Sequence, residues 1–484
     1  MARPSPLDLY KHLDKSNCGD CGYDTCMAFA TDLLERKVKL EDCTHLQKPD
    51  QKKNLKKIQE LIQPPQRTVE FGVGDRKVVI GGEEVLMRHQ LTYWNPTGIF
   101  IEIADNQDNL EEIVKYLTDL ELSRIGEDLT NQFGIALRNV SQNKETFVEA
   151  AKKIKDMSNL PIILCTLEPE FLMAAAEAIK DVKPLLYAAT KDTWETLGKF
   201  AFNNNLPLVI TSPDLDELMS LSATLQKLGL QELVLDPGTF YGPGAIARTY
   251  DNIQQLRIAG IQKENENAGW PVMGVPAAYW TQPNLDENKD LWEHQYQEII
   301  MGSIMISSDT NLIIMHTGAN AEDVWGLLAL MTLRQSVFSD PRIYPAVDAG
   351  LYEIGEPGDM APIFVTSNYR MTKIPVEQDL KSANIDSYLL VVDSEGIGIE
   401  SAVAGGQFSA GKIAEAAKEF NAFDKVNHRI LIIPGMAARL SGALEDEADC
   451  YVVVGPRDSS GIPKYIEKQW KPEEFMKEYE SWKE

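Results

Sequence analysis

The spacing of apolar positions divides the chain into three stretches. Over residues 1–62 it is helical and sparse: Leu7, Tyr10 and Leu13 recur three apart behind Ser5-Pro6-Leu7-Asp8, which reads as a capping box with proline at the first helical position. A lysine-rich polar run over 48–57 leads to Pro64-Pro65, which punctuates a boundary. From about residue 78 to 330, short β-branched runs alternate with amphipathic segments. Eight runs predict strands, at 99–105, 135–140, 161–167, 185–190, 207–212, 232–238, 275–280 and 312–318, with helices such as 145–157, 169–179, 215–228 and 291–301 between them. The runs are largely apolar, the mark of parallel strands covered on both faces. Eight β/α units predict a closed (β/α)8 TIM barrel, with an open doubly wound sheet as the competing arrangement.

A Gly/Pro-rich connection over 339–362, including Gly350, Gly355 and Gly358, precedes four further runs at 363–366, 388–393, 430–434 and 451–455. Helical segments at 399–405, 410–420 and 437–447 separate them, which predicts a smaller doubly wound, Rossmann-like α/β domain. The predicted domains are thus 1–62, 63–335 and 336–484, and 464–484 reads as a charged amphipathic helix carrying Trp470 and Trp482. Ligands of open α/β sheets bind beyond the carboxyl ends of the strands. Candidate contacts there are Ser367, Asn368, Tyr369, Ser394, Glu395, Gly396, Gly405, Gly406, Pro434, Gly435, Gly455, Pro456 and Arg457. Small residues let a flat ligand approach the backbone; the competing reading is ordinary βα turns, which want the same residue types.

Composition then narrows the function classes. With 47 basic against 73 acidic side chains the net charge is −26, a surface that repels nucleic acid and anionic membranes. A length of 484 residues exceeds one ordinary core, and 44% hydrophobic with 25% charged residues is globular in kind. The opening Met-Ala-Arg-Pro-Ser-Pro lacks the apolar run of a signal peptide and no window of eighteen uninterrupted apolar residues occurs, so a cytoplasmic location is expected. Cysteines there stay reduced. Cys165 and Cys450 sit singly in apolar runs as core thiols, while the other four crowd into residues 18–43.

Their spacing is Cys18-x2-Cys21-x4-Cys26-x16-Cys43. Four thiolates without histidine suit a [4Fe–4S] cluster or a structural zinc. Zinc sites usually group ligands as two Cys-x-x-Cys knuckles, and here there is one; Gly19 and Gly22 let the backbone bend around a bulky cuboidal core. The four are therefore candidate iron ligands. The run Asn17-Cys-Gly-Asp-Cys-Gly-Tyr-Asp-Thr-Cys-Met-Ala-Phe-Ala30 resembles the N-terminal [4Fe–4S] module of the large subunit of corrinoid/iron–sulfur proteins. The resemblance continues through the barrel to Ser394-Glu395-Gly396, Ile433-Pro434-Gly435 and Val454-Gly455-Pro456-Arg457-Asp458, and covers essentially the whole chain. It looks most like the archaeal form, the gamma subunits of the acetyl-CoA decarbonylase/synthase complex.

The resemblance implies a methyltransferase that works as a methyl carrier. A cobalamin-type corrinoid would, as Co(I), take the methyl group of a methyl-tetrahydropterin (tetrahydrosarcinapterin or tetrahydromethanopterin) and pass it to a nickel–iron–sulfur site on acetyl-CoA synthase/carbon monoxide dehydrogenase subunits. A small corrinoid/iron–sulfur subunit would complete a heterodimer, the cluster would reduce oxidised cobalt, and the candidate contacts above would touch the corrinoid. The metal being the nucleophile, no protein acid or base is required. Corrinoid domains that supply a histidine ligand carry Asp-x-His-x-x-Gly after the first strand, where this chain has Thr366-Ser367-Asn368-Tyr369-Arg370. His428 precedes a strand at the far end, so a cobalt without a protein histidine is expected. Visiting successive partners makes 339–362 a candidate hinge, against a packed interdomain loop.

In the barrel, Asp105, Arg138, Asp236 and His316 fall at carboxyl ends of strands, where barrel enzymes keep catalytic groups. Asp236-Pro237-Gly238 reads equally as a turn and His316 as a cap, and a scaffold role is expected ahead of a pterin site. Trp280, Trp292 and Trp325 read as core or interface. Two other functions stay open: an iron–sulfur reductive activator of another corrinoid protein, and a scaffold subunit with a structural cluster.

Overall fold

Ser5 caps the first helix, Pro6–Tyr10, and its N–H (3.0 Å) and hydroxyl (2.7 Å) both donate to the Asp8 carboxylate, the capping arrangement the sequence spells. Helices Cys26–Leu34 and Lys52–Ile62 follow, and Leu9, Leu13, Phe29, Leu33, Leu46 and Ile58 close a small core between them. The computed structural model describes residues 4–90, 92–282, 285, 289–339 and 344–483. They fall into two units, Met1–Leu120 with Thr130–Ser339, and Glu121–Leu129 with Asp340–Glu484.

In the first unit an antiparallel hairpin, β1 (Thr68–Phe71) and β2 (Val78–Gly81), follows the helical module. Val69, Phe71, Val78 and Ile80 are fully buried, and Gly72 N–H donates to the Lys183 carbonyl just ahead of a barrel strand, so the hairpin plugs the barrel's amino end. Eight parallel strands come next: β3 (Gly98–Ala104), β4 (Phe133–Arg138), β5 (Ile162–Cys165), β6 (Leu185–Ala189), β7 (Leu208–Thr211), β8 (Leu233–Asp236), β9 (Met273–Gly274) and β10 (Leu312–Met315). Their order is β8-β7-β6-β5-β4-β3-β10-β9, and a parallel bridge from Leu235 to Val272 joins the two ends. The sheet is therefore a closed barrel and the open arrangement is excluded. The predicted helices stand at Lys144–Met157, Pro169–Ile179, Leu215–Leu228 and Leu291–Ser307. One strand differs: 275–280 is a 3-10 turn, Pro276–Thr281, because Pro276 has no N–H for a ladder and opens the turn instead. Its apolar character reflects burial of Pro276, Ala277 and Tyr279, not pairing.

The second unit holds β11 (Gly350–Ile354), β12 (Ile363–Ser367), β13 (Ser387–Val392), β14 (Ile430–Ile433) and β15 (Tyr451–Val454), in the order β11-β13-β12-β14-β15. Only β11 runs antiparallel. Successive residues of a strand face opposite ways, which produces two cores. Ile363, Val365, Leu390, Leu431 and Ile433 pack under helices Ile399–Gly405, Ala410–Glu419 and Ser441–Ala448. Phe364, Leu389, Val391 and Ile432 pack with Leu380 of helix Arg370–Ser382 and Ile462 of helix Ile462–Gln469.

Three expectations for this unit change. The segment 437–447 is a 3-10 turn, Gly435–Leu440, before helix Ser441–Ala448. The tail is two helices, Ile462–Gln469 and Pro472–Lys483, because Pro472 starts a new one; Trp470 meets His428 edge to face (5.6 Å) and Trp482 packs tilted against Tyr451 (4.9 Å). The candidate hinge is partly a strand: β11 pairs along five residues with β13, and Val347 N–H donates to the Asn368 carbonyl. Residues 340–343 of that hinge lie outside the described residues. Among the described residues no helix is long and apolar enough to cross a membrane.

Candidate functional site

The four predicted iron ligands converge. Cys18, Cys21, Cys26 and Cys43 line one concavity, all as free thiols. Gly19 (φ +79°) and Gly22 (φ +83°) turn the chain between the first three in the left-handed region, and Gly22 N–H closes the turn on the Gly19 carbonyl (2.9 Å). Cys26 is the first residue of a helix capped by Thr25, and its N–H is held by Asn17 Oδ1 (2.9 Å). Cys43 comes back from a 3-10 turn, Leu40–Asp42, and burial pushes its thiol up. Leu13 and Phe29 form an apolar floor. An all-thiol donor set in such a cradle fits an iron–sulfur cluster. The sequence pattern missed His45, which lines the same concavity with Nδ1 2.9 Å from Asp14.

In the second unit a cavity of about 230 Å3 opens between the ends of β12 and β14, where the strand order reverses. Of the predicted contacts, Pro434, Gly455, Pro456 and Arg457 line it, and Gly435 backs it, its N–H on the Pro456 carbonyl (2.9 Å). Thr366 also lines it, and its buried hydroxyl has no partner among the described residues; Ser367, next along the strand, is likewise buried with its hydroxyl unpaired among them. The remaining candidates build turns. Asn368 Oδ1 accepts from Ser394 N–H (3.0 Å), Ser394 hydroxyl (2.9 Å) and Gly396 N–H (3.0 Å), stapling the 393–396 loop. Glu395 (φ +60°) lies inside that loop, Tyr369 caps helix Arg370–Ser382, and Gly405 with Gly406 ends helix Ile399–Gly405. Met371, Thr372, Pro375 and Val376 of helix Arg370–Ser382 form a wall that the sequence reading missed, because Pro375 hides a helix there. No histidine is among the described lining residues. His428 is buried at the opposite end, Nδ1 accepting from Ile430 N–H (3.3 Å) and Nε2 3.0 Å from the Ala361 carbonyl, and burial pulls its basicity down.

The barrel's carboxyl end carries a third cluster. Asp105 is spent on the loop that follows β4, accepting from Asn139, Val140 N–H and the Ser141 N–H and hydroxyl. Burial raises the Asp105 carboxyl, but these bonds bring it below the usual range. Asp236 is buried with Tyr187 (2.8 Å) and Thr211 (3.1 Å) donating to it and Gly238 N–H closing the turn (2.9 Å); burial keeps it high. Arg138 and His316 meet on Glu102, which the sequence reading missed although it is a lone charge inside an apolar run. Glu298 of helix Leu291–Ser307 is buried beside them, accepting from Trp280 Nε1 (2.9 Å) and the N–H groups of His316 and Thr317. Trp280 is thus a partner of this cluster, while Trp292 and Trp325 are exposed.

Residues 68–466 match the family described as CO dehydrogenase/acetyl-CoA synthase delta subunit, and residues 13–45 match a family described as an Fe-S cluster. Fold and site together define an iron–sulfur protein built on an α/β barrel. The chain is 40% identical to acetyl-CoA decarbonylase/synthase complex subunit gamma of Methanosarcina acetivorans, over 97% of this chain and 99% of that one. The Methanothermobacter thermautotrophicus subunit gamma is 38% identical (96% and 98% covered), and that of Archaeoglobus fulgidus 39% (98% and 100%). The chain belongs to the acetyl-CoA decarbonylase/synthase complex gamma subunit family. Among solved structures, dihydropteroate synthase of Thermus thermophilus superposes with a TM-score of 0.39 at 14% identity, covering 56% of this chain and all of that one.

Proposed function

We propose that this chain is the corrinoid/iron–sulfur methyl carrier of its complex, a cytoplasmic methyltransferase subunit. The bound corrinoid would supply a cobalt nucleophile that takes the methyl group of a methyl-tetrahydropterin and yields it to the nickel–iron–sulfur site of acetyl-CoA synthase/carbon monoxide dehydrogenase subunits. A small corrinoid/iron–sulfur subunit is the expected heterodimer partner. The observation that carries this reading is the apolar cavity at the switch point of β12 and β14, whose Thr366 hydroxyl is buried without a partner among the described residues, a group a ligand would satisfy.

The chain's own residues have three tasks. Thr366, Pro434, Gly455, Pro456 and Arg457 would hold the corrinoid; at about 230 Å3 the cavity admits only part of so large a ligand. Asn368 keeps the 393–396 loop rigid beside it. Cys18, Cys21, Cys26 and Cys43 would hold a [4Fe–4S] cluster that restores cobalt after oxidation. The domain limits 1–62, 63–335 and 336–484 are proposed on the same basis.

The test is anaerobic purification of the chain in its complex, with cobalt and iron content and electron paramagnetic resonance of the Co(II) state. One corrinoid per chain, about four cluster irons and no nitrogen hyperfine splitting from a protein histidine are expected. Absence of stoichiometric cobalt would leave the reductive activator as the better reading; nitrogen splitting from a protein histidine would overturn the histidine-free site alone.

A further inference from the structure

The barrel's carboxyl end buries more charge than a scaffold needs. Glu102 is 6% exposed and Glu298 fully buried, and a carboxylate removed from water is costly unless paired and hydrogen-bonded. Both are used to fix one imidazole. Glu102 takes His316 Nδ1 on one oxygen (2.8 Å) and Arg138 Nε on the other. Glu298 holds the backbone N–H of His316 and the indole N–H of Trp280, whose ring lies 4.9 Å from the imidazole. His316 is therefore clamped from β3, from helix Leu291–Ser307 and from the turn Pro276–Thr281. Its side chain is still 45% exposed, and among the described residues no protein group takes Nε2.

An imidazole whose Nδ1–H is held by a carboxylate directs Nε2 outward, and in its protonated form it presents Nε2–H there, the geometry of a general acid. We propose that His316, positioned by Glu102, is the proton donor to the leaving amine nitrogen of the methyl donor. This rests on the methyl-carrier reading and gives the barrel a task beyond scaffolding. The methyl C–N bond breaks with its electron pair staying on nitrogen, and that nitrogen takes the proton from Nε2. The acceptor supplies the electron pair of the new bond to carbon, and water reprotonates the half-exposed imidazole. The groups facing His316 are Glu102 of β3, Arg138 of β4 and Glu298 of the helix, with the Cys165 thiol of β5 beyond Glu102. Burial works against the charged ring, but the Glu102 bond and the two carboxylates outweigh burial and Arg138 and lift its basicity above the ordinary value. The raised basicity favours the protonated donor, and pterin-dependent transfer should fall as pH rises through the range in which the ring loses its proton.

The experiment compares two donors in the intact complex: a methyl-tetrahydropterin, whose amine must be protonated, and methyl iodide, whose iodide leaves without a proton. In His316→Gln, pterin-dependent methylation should fall about 100-fold with its pH dependence lost, general acids contributing about 100- to 10,000-fold. Methyl iodide methylation and cobalt and iron contents should be unchanged. Separately, histidine-selective NMR of the corrinoid-free chain should show the resonance missing from His316→Gln titrating above the ordinary imidazole range, and lower in Glu102→Gln. Equal pterin rates in variant and parent, equal loss with both donors, or a His316 titrating below the ordinary range would overturn the assignment. A parent complex that takes methyl from iodide and not from the pterin would instead sink the methyl-carrier reading on which it stands.

Discussion

Cys26 is the residue on which the proposed redox role is best tested, because it joins the four-thiol cradle to a helix capped by Thr25. Cys26→Ala should leave methyl transfer from pre-reduced protein within about twofold of the parent while abolishing recovery after oxidation, since only the electron route is cut. Stopped-flow spectra of the cobalt before and after an oxidant pulse measure both. Loss of transfer in the pre-reduced protein as well would make the cluster structural. The cradle was legible because ligand spacing is local: three of the four thiols fall within nine residues and the two glycines announce their turns. Asn17 and His45 were not, since a side chain that supports a ligand from outside carries no spacing rule.

Among elements, β12 carries the proposed ligand site. Thr366 ends in a buried hydroxyl without a partner among the described residues, so Thr366→Val removes an unsatisfied group of nearly the same shape. The variant should unfold no more easily than the parent when corrinoid-free, or be more stable by about 1 kcal/mol, yet retain less cobalt after gel filtration. Urea titration and metal analysis check the two halves, and full cobalt retention would count against the cavity as the site. Element positions along the chain were largely readable, because parallel strands buried on both faces are continuous apolar runs. Two failures share a cause in proline. Pro276 turned an apolar run away from the ladder, and Pro375 sits within helix Arg370–Ser382 and disguised it, along with the cavity wall it builds.

At the scale of the molecule, each unit has its own core, so the chain should unfold in two calorimetric transitions. Corrinoid removal should lower only that of the unit containing β11 to β15, and iron chelation only the other, since a ligand stabilises the unit that binds it. A single transition shifted by both treatments would show one cooperative block. The sequence by itself determined the spacing of the four thiols, the succession of β/α units and the absence of histidine from the loop after β12, because spacing, period and residue identity are properties of neighbours along the chain; closure of the barrel was decided by the Leu235–Val272 bridge. Only the tertiary structure decided which residues act together. Asn368, a candidate contact, staples a loop 26 residues away, and Glu102 meets a His316 that lies 214 residues further on. Such pairings depend on how strands close around a barrel and how a sheet reverses its order, and no local pattern records them.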